Sequence, residues 1–210
     1  MQRSLNEIEM TLLKAARGAG RSMGVAEDLA RAGVWLCRLG CDGVSVAIDT
    51  LEAPEQEELA IEFAGRESHL REGEAMQVVL ALIDFALSEQ DNVVRLPVGL
   101  PVPLILIGAA GQFSSQYGLS FSVVFEKAAD VLISPDGVSV MPTDLPTGTA
   151  VSIRTLSTVG DASPHKLSTN RPIIDAVSWN RAETLTALTY VPASEQSRIG
   201  GAGAGLTDND

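Results

Sequence analysis

The sequence predicts an α+β fold, with N-terminal helices packed on a mainly antiparallel β meander and a C-terminal helix followed by a glycine-rich tail. Three observations predict it. Apolar residues recur at helical spacing from Leu5 to Leu39. From Val93 the chain becomes a series of short β-rich runs punctuated by turn residues. No helical segment separates one run from the next, which favours antiparallel neighbours over a doubly wound parallel sheet. At 210 residues the chain is long enough for one domain with a substantial core. Its parts are a mainly helical stretch over 1–90, a β-rich stretch over 93–158, a helix over 176–191 and a tail over 193–210.

The first helix begins at a capping box. Ser4 is followed three residues later by Glu7, so that side chains satisfy amide donors at the helix start. At about 100° per residue, Leu5, Ile8, Leu12, Ala15, Ala16 and Ala19 form one stripe, with Glu7, Thr11 and Lys14 opposite. Gly18 and Gly20 end it. A second helix runs from about Gly24 to Leu39 and stops at Gly40. Val25, Leu29, Ala32, Leu36 and Leu39 are its buried face, Trp35 lies at the margin, and Glu27 and Arg31 pair at i, i+4. The short Gly18–Met23 connection makes the two helices antiparallel neighbours.

Residues Val44–Leu51 fit a short helix or a strand. The acidic stretch after them reads as a surface loop or exposed helix. Glu74–Ser88 is apolar nearly all round and predicts a helix buried on several sides. The runs VRLPV, VPLILIGAA, LSFSVVF, DVLIS, VSVMP and AVSIRTL are read as strands, and Gln112–Gly118 as a polar bend between two of them. Ser134-Pro135-Asp136-Gly137 has the chemistry of a turn joining antiparallel strands. Gly160–Pro172 is a polar loop, and Val177–Tyr190 a last amphipathic helix with Trp179, Leu185 and Leu188 facing inward.

Composition narrows the function classes. Hydrophobic residues make up 45% and aromatic residues 4%, so the core is built from Leu, Val, Ile and Ala. The net charge of −12, with no run of Lys and Arg, repels phosphate backbones and excludes nucleic acid as a non-specific partner. The opening MQRSLNEIEM does not read as a signal peptide, and the apolar stretches are too short to span a bilayer. Cys37 and Cys41 would close too short a loop for a disulfide to stabilise much. Free thiols in a reducing cytoplasm follow, with no membrane.

Few residues carry chemistry. The tail Gly200-Gly201-Ala202-Gly203-Ala204-Gly205 lacks the following helix of a dinucleotide fingerprint and the Gly-Lys-Ser/Thr of a phosphate loop, so no cofactor is implied. It reads as a solvated terminus or as backbone lying close against the domain, delivering Arg198, Asp208 and Asp210 to a specific surface or pocket. On the first helix Glu7 and Lys14 share a face, and Arg17 lies further round. They are either a solvated face with Glu7 as cap, or a cleft able to hold a carboxylate and move a proton. His69 and His165 are too few for a metal site, and none is expected. Cys37 reads as a buried structural cysteine.

The opening SLNEIEMTLLKAARGAGRSMGVAEDLARAGVWL and the ending SEQSRIGGAGAGLTDND resemble an uncharacterised bacterial family, a domain of unknown function spanning essentially the whole chain. The resemblance implies a bacterial protein and supplies no activity or catalytic residue. The residues lead to two readings. One is a cytoplasmic protein whose first helix and tail converge on a small anionic metabolite through Glu7, Lys14, Arg17, Arg198 and Asp208, with acid–base chemistry if it is an enzyme. The other is a non-catalytic subunit or homo-oligomer whose apolar surfaces meet a partner and whose tail straps it.

Overall fold

The computed structural model describes residues 1–88, 93–128, 130–141, 143, 145–156 and 165–190. Its helices are α1 (Leu5–Gly18), α2 (Met23–Leu39), α3 (Gly43–Glu52), α4 (Ala75–Ser88), α5 (Leu104–Tyr117) and α6 (Ala176–Ala187). Its strands are β1 (Gln56–Phe63), β2 (Arg66–Gly73), β3 (Val94–Leu96), β4 (Ser120–Phe125), β5 (Val131–Ser134), β6 (Gly137–Val138), β7 (Val151–Leu156) and β8 (His165–Lys166). The glycine-rich tail, with Arg198 and Asp208, lies outside the described residues.

Local chemistry explains the helix ends. Ser4 Oγ accepts from the Glu7 amide at 3.2 Å, the expected cap of α1. Gly40 is left-handed at φ 93° and closes α2. Asp42 accepts from the Ser45 amide at 3.0 Å and starts a helix, α3, where the sequence fitted helix or strand. Asp175 does the same for α6 through Ser178, and these hydrogen bonds to the ionised form lower its pKa. Glu27 and Arg31 form their helical pair at 3.7 Å.

The strands form one antiparallel sheet in the order β2-β1-β3-β7-β4-β5-β6-β8. β4, β5, β6 and β8 follow chain order, while β7 is inserted between β3 and β4. The Ser134–Gly137 turn joins β5 to β6 as the sequence predicts. Leu59, Ile61, Val94, Val123, Ile133 and Ile153 are buried, whereas Val124 and Leu132, one position along, are exposed. That alternation gives the sheet one core face. Helices α4 and α5 pack on the sheet, α2 and α3 lie over them, and α1 and α6 complete the stack. Thr155 Oγ donates to the Ala86 carbonyl at 3.2 Å, tying β7 to α4. At the other end of α4, Arg21 pairs with Glu74 and donates to the Leu51 carbonyl at 3.0 Å, so one guanidinium joins α2, α3 and α4 near their ends.

Four sequence readings are corrected. VPLILIGAA is not a strand but the start of α5, and Gln112–Tyr117 is the last part of the same helix rather than a bend, with Gly118 its left-handed cap. The reason is burial: Ile105, Leu106, Ile107, Ala109 and Ala110 are all enclosed, so no alternation distinguishes strand from helix. The acidic stretch is neither loop nor helix but the β1–β2 hairpin, turned by Ala64 and Gly65 at φ 48° and 73°. Two consecutive left-handed residues are what a tight two-residue hairpin requires. Finally, Trp179 is buried and Leu185 packs on the core, but Leu188 faces outward, 67% exposed, because α6 ends at Ala187.

Candidate functional site

The sequence places Arg31, Trp35 and Arg38 at i, i+4 and i+7 on α2, one face of that helix. Gln112, Ser115 and Gln116 form the matching face of α5. The two helices meet closely because α5 carries glycines at the crossing. A Cβ on Gly108 would stand 2.8 Å from the Ala32 carbonyl oxygen, and one on Gly111 would enter the Trp35 ring. Above this crossing lies a cavity of about 270 Å³, lined by Glu9 of α1, by Arg31, Val34, Trp35 and Arg38 of α2 and by Gln112, Ser115 and Gln116 of α5.

Hydrogen bonds fix its floor. Trp35 Nε1 donates to Ser115 Oγ at 3.2 Å, and Ser115 Oγ donates to the Pro135 carbonyl at 3.0 Å. Gln112 Nε2 donates to Gln116 Oε1 at 2.7 Å, while Gln112 Oε1 is buried with no partner among the described residues. An orphaned buried acceptor costs about 1–3 kcal/mol, so its presence beside a cavity is unusual in a purely structural contact.

The charges at the rim are incompletely paired. Arg31 lies 3.7 Å from Glu27 and 3.8 Å from Asp28, beyond hydrogen-bond length. Burial raises the Asp28 pKa, opposed by Arg31. The guanidinium of Arg38 and the carboxylate of Glu9 have no ion-pair partner among the described residues. Two arginines and one glutamate line the cavity, and Glu27 and Asp28 stand beside Arg31 just outside the lining.

The charged residues predicted on α1 are placed elsewhere. Glu7 accepts from Arg3 at 2.6 Å, and Arg3 stacks 4.5 Å from the Trp179 ring centroid. Thr11 gives its carbonyl to Thr186 Oγ at 3.2 Å, and Lys14 lies 5.9 Å from the Tyr190 ring centroid. Thus α6 packs beside the side of α1 opposite its core stripe without enclosing it: Lys14 is exposed and the Glu7 side chain is 41% exposed. Arg17 donates to the Arg21 carbonyl. None of these three lines the cavity, and Arg198 and Asp208 lie outside the described residues. Arg31, Trp35 and Arg38 were missed as a set, although their spacing alone puts them together.

Among the described residues no group of three His, Cys, Asp or Glu side chains is arranged to hold a metal. His69 and His165 are exposed on β2 and β8. Cys37 is buried against Gly43, and burial pushes its thiol up to about 12, the opposite of an activated nucleophile. Among the described residues no helix is long and apolar enough to cross a membrane.

No curated protein and no solved structure matches the chain. A family model described as a protein of unknown function (DUF3726) matches residues 3–95, a stretch that includes Glu9, Arg31, Trp35 and Arg38 and ends before α5. The resemblance to an uncharacterised domain-of-unknown-function family is therefore present from the turn before α1 to β3.

Proposed function

We propose that this is a cytoplasmic bacterial protein that binds a small anionic metabolite in the cavity between α2 and α5. The observation that carries the reading is the convergence of Arg31 and Arg38 on an open, Trp35-floored cavity in a strongly acidic chain. Guanidinium forks match carboxylate and phosphate oxygens, and partial burial strengthens such contacts. The volume of about 270 Å³ suits a metabolite and is small for a dinucleotide. Free Cys37 and Cys41 support a reducing compartment.

Thermal denaturation with a panel of small carboxylates and phosphorylated metabolites tests it. A ligand at about a hundred times its Kd adds about 2.7 kcal/mol, a rise of roughly 5–10 °C for a chain of this length. Arg38→Gln should remove that rise and leave the unliganded Tm within about 1 °C, as for other surface substitutions. If no anion stabilises the protein, or if Arg38→Gln responds like wild type, the cavity is not the binding site.

A site shared by α1 and the tail is the second reading. Its support is the Lys14–Tyr190 contact, which sets the last described residue against α1. Lys14→Gln and Arg17→Gln separate the two: they should abolish ligand stabilisation only if the shared site is the correct one. The reading as a partner-binding subunit or homo-oligomer is supported by exposed Val177, Leu188 and Tyr190 on and after α6. Light scattering on the intact chain and on a chain lacking 197–210 tests it, since tail removal should dissolve the assembly.

A further inference from the structure

We infer that the ligand is an acidic amino acid, of the size of aspartate or glutamate, read by three charged side chains from two helices. The inference rests on the anion-binding reading of the α2–α5 cavity and names the ligand more closely. Three observations point to it. The lining holds two cations, Arg31 and Arg38, and one carboxylate, Glu9. A ligand complementary to these three lining side chains carries two negative groups and one positive group, the charge pattern of an ammonium dicarboxylate, with Arg31 also near Glu27 and Asp28 at 3.7 and 3.8 Å.

The second observation is the position of the charges. Arg31 and Arg38 are seven residues apart on α2, two helical turns, so their Cα atoms are about 10 Å apart along the axis. One carboxylate cannot occupy both forks at their fullest separation, whereas the two ends of a four- or five-carbon diacid can each approach one. Trp35 lies between them on the same face and is 3% exposed, which supplies an apolar floor for the methylene chain. Glu9 arrives from α1, a different helix, and has no ion-pair partner among the described residues. A carboxylate left free beside two arginines weakens binding of a plain diacid by repulsion. It becomes favourable only when the ligand brings its own cation.

The third is the orphaned Gln112 Oε1 on the α5 side. It is an acceptor without a donor, and an ammonium group is a three-donor cation. Rotation of the Gln112 carboxamide toward the cavity on binding gives that oxygen a partner. Neither a plain dicarboxylate nor a phosphate monoanion offers an equivalent cluster of donors.

Isothermal titration calorimetry on the full chain decides the matter with four probes: L-aspartate, L-glutamate, and their deaminated counterparts succinate and glutarate. The expected result is that at least one amino acid binds tenfold or more tightly than its diacid counterpart. Glu9→Gln should erase that preference by weakening the amino acid and leaving or improving the diacid, while Arg38→Gln should weaken both. Equal or tighter binding of the diacids overturns the amino-acid inference and leaves the anion reading intact. A preference that survives in Glu9→Gln also overturns it. Failure of all four probes, together with failure of the wider anion panel, removes both. The comparison of amino acid with diacid in the wild-type chain stands alone should Glu9→Gln not fold.

Discussion

Two faces of the helical layer carry comparable charge and put it to different uses. Along α1 and α6, Glu7 is held by Arg3, Arg3 lies on Trp179, Lys14 sits beside Tyr190 and Arg181 forks between Asp49 and Glu52 at 2.8 and 2.6 Å. Every one of these groups meets another part of the chain. At the α2–α5 cavity, by contrast, Arg38 of α2 and Glu9 of α1 face open space without an ion partner among the described residues. The difference teaches that charge density does not locate a site. Charges closed on one another hold helices together, and those converging on unfilled space are available to a ligand.

The comparison breaks most readily at Gly18. A Cβ there collides with the Leu185 carbonyl oxygen of α6, a backbone atom that cannot rotate aside. Gly18→Val should therefore displace α6 and cost about 3 kcal/mol, or roughly 6–12 °C in Tm for a chain of this length. If the α1–α6 face is structural, ligand affinity at the α2–α5 cavity should change less than threefold in the folded fraction. A loss of affinity matching that of Arg38→Gln would mean the two faces are one site. Differential scanning calorimetry with and without ligand distinguishes these results.

Much of the fold was legible because local signals agreed with the tertiary environment. The Ser4–Glu7 cap, the 3.6-residue stripe of Ile8, Leu12, Ala15 and Ala16, and the Gly40 stop each specify one thing, and α1 and α2 follow. Legibility fails where a segment is buried on every side. Residues 104–111 show no amphipathic period because α2, α4 and the sheet all touch α5, and the β-branched isoleucines then suggest a strand. The spacing of Gly108 and Gly111 beyond Pro103 was the available sign of a helix made to be approached closely. The β1–β2 hairpin was hidden for the opposite reason. Its glutamates dominate the composition, yet Leu59 and Ile61 alternate with them at period two and are buried. The site was obscured in a third way. Arg31 reads from the sequence as the partner of Glu27 alone, Arg38 carries no local signal, and only their seven-residue spacing joins them.

A smaller effect sharpens the contrast within α2 itself. Cys37 and Trp35 are two residues apart and point to nearly opposite sides of the helix, one into the packed contact with Gly43 and one to the cavity floor. The thiol pKa rises from 9.0 to about 12 on folding because burial disfavours the thiolate. Between pH 9 and 12 the unfolded chain thus releases this proton while the folded chain keeps it, so stability falls as pH rises. The slope approaches about 1.4 kcal/mol per pH unit, and at pH 10 the loss is of that size. Cys37→Ala should be less stable than wild type at pH 7 and should lose less on moving to pH 10. Urea titrations at the two pH values measure the difference, and parallel losses in both proteins would show that the thiol is not buried as described. Ligand at the cavity should leave Cys37 alkylation in the folded protein as slow as before.

The smallest expected effect tests the closed charges of the α1–α6 face directly. Arg181 is about one third exposed, and its hydrogen bonds to Glu52 and Asp49 raise its already high pKa, so it stays charged across the accessible range. Solvent screens such a pair, and even a fork with two carboxylates contributes about 1 kcal/mol or less. Arg181→Ala should lower stability by about that amount at low salt and by less than half of it at 0.5 M salt, where the Debye length falls to about 4 Å. Ligand affinity should not change, because Arg181 joins α6 to α3 and does not line the cavity. The salt dependence of affinity then provides the counterpart: it should be strong in wild type and nearly absent in Arg38→Gln. An ion pair already satisfied within the fold loses strength in salt without altering what the protein binds, whereas an unpaired arginine loses its partner to salt only when that partner comes from solution.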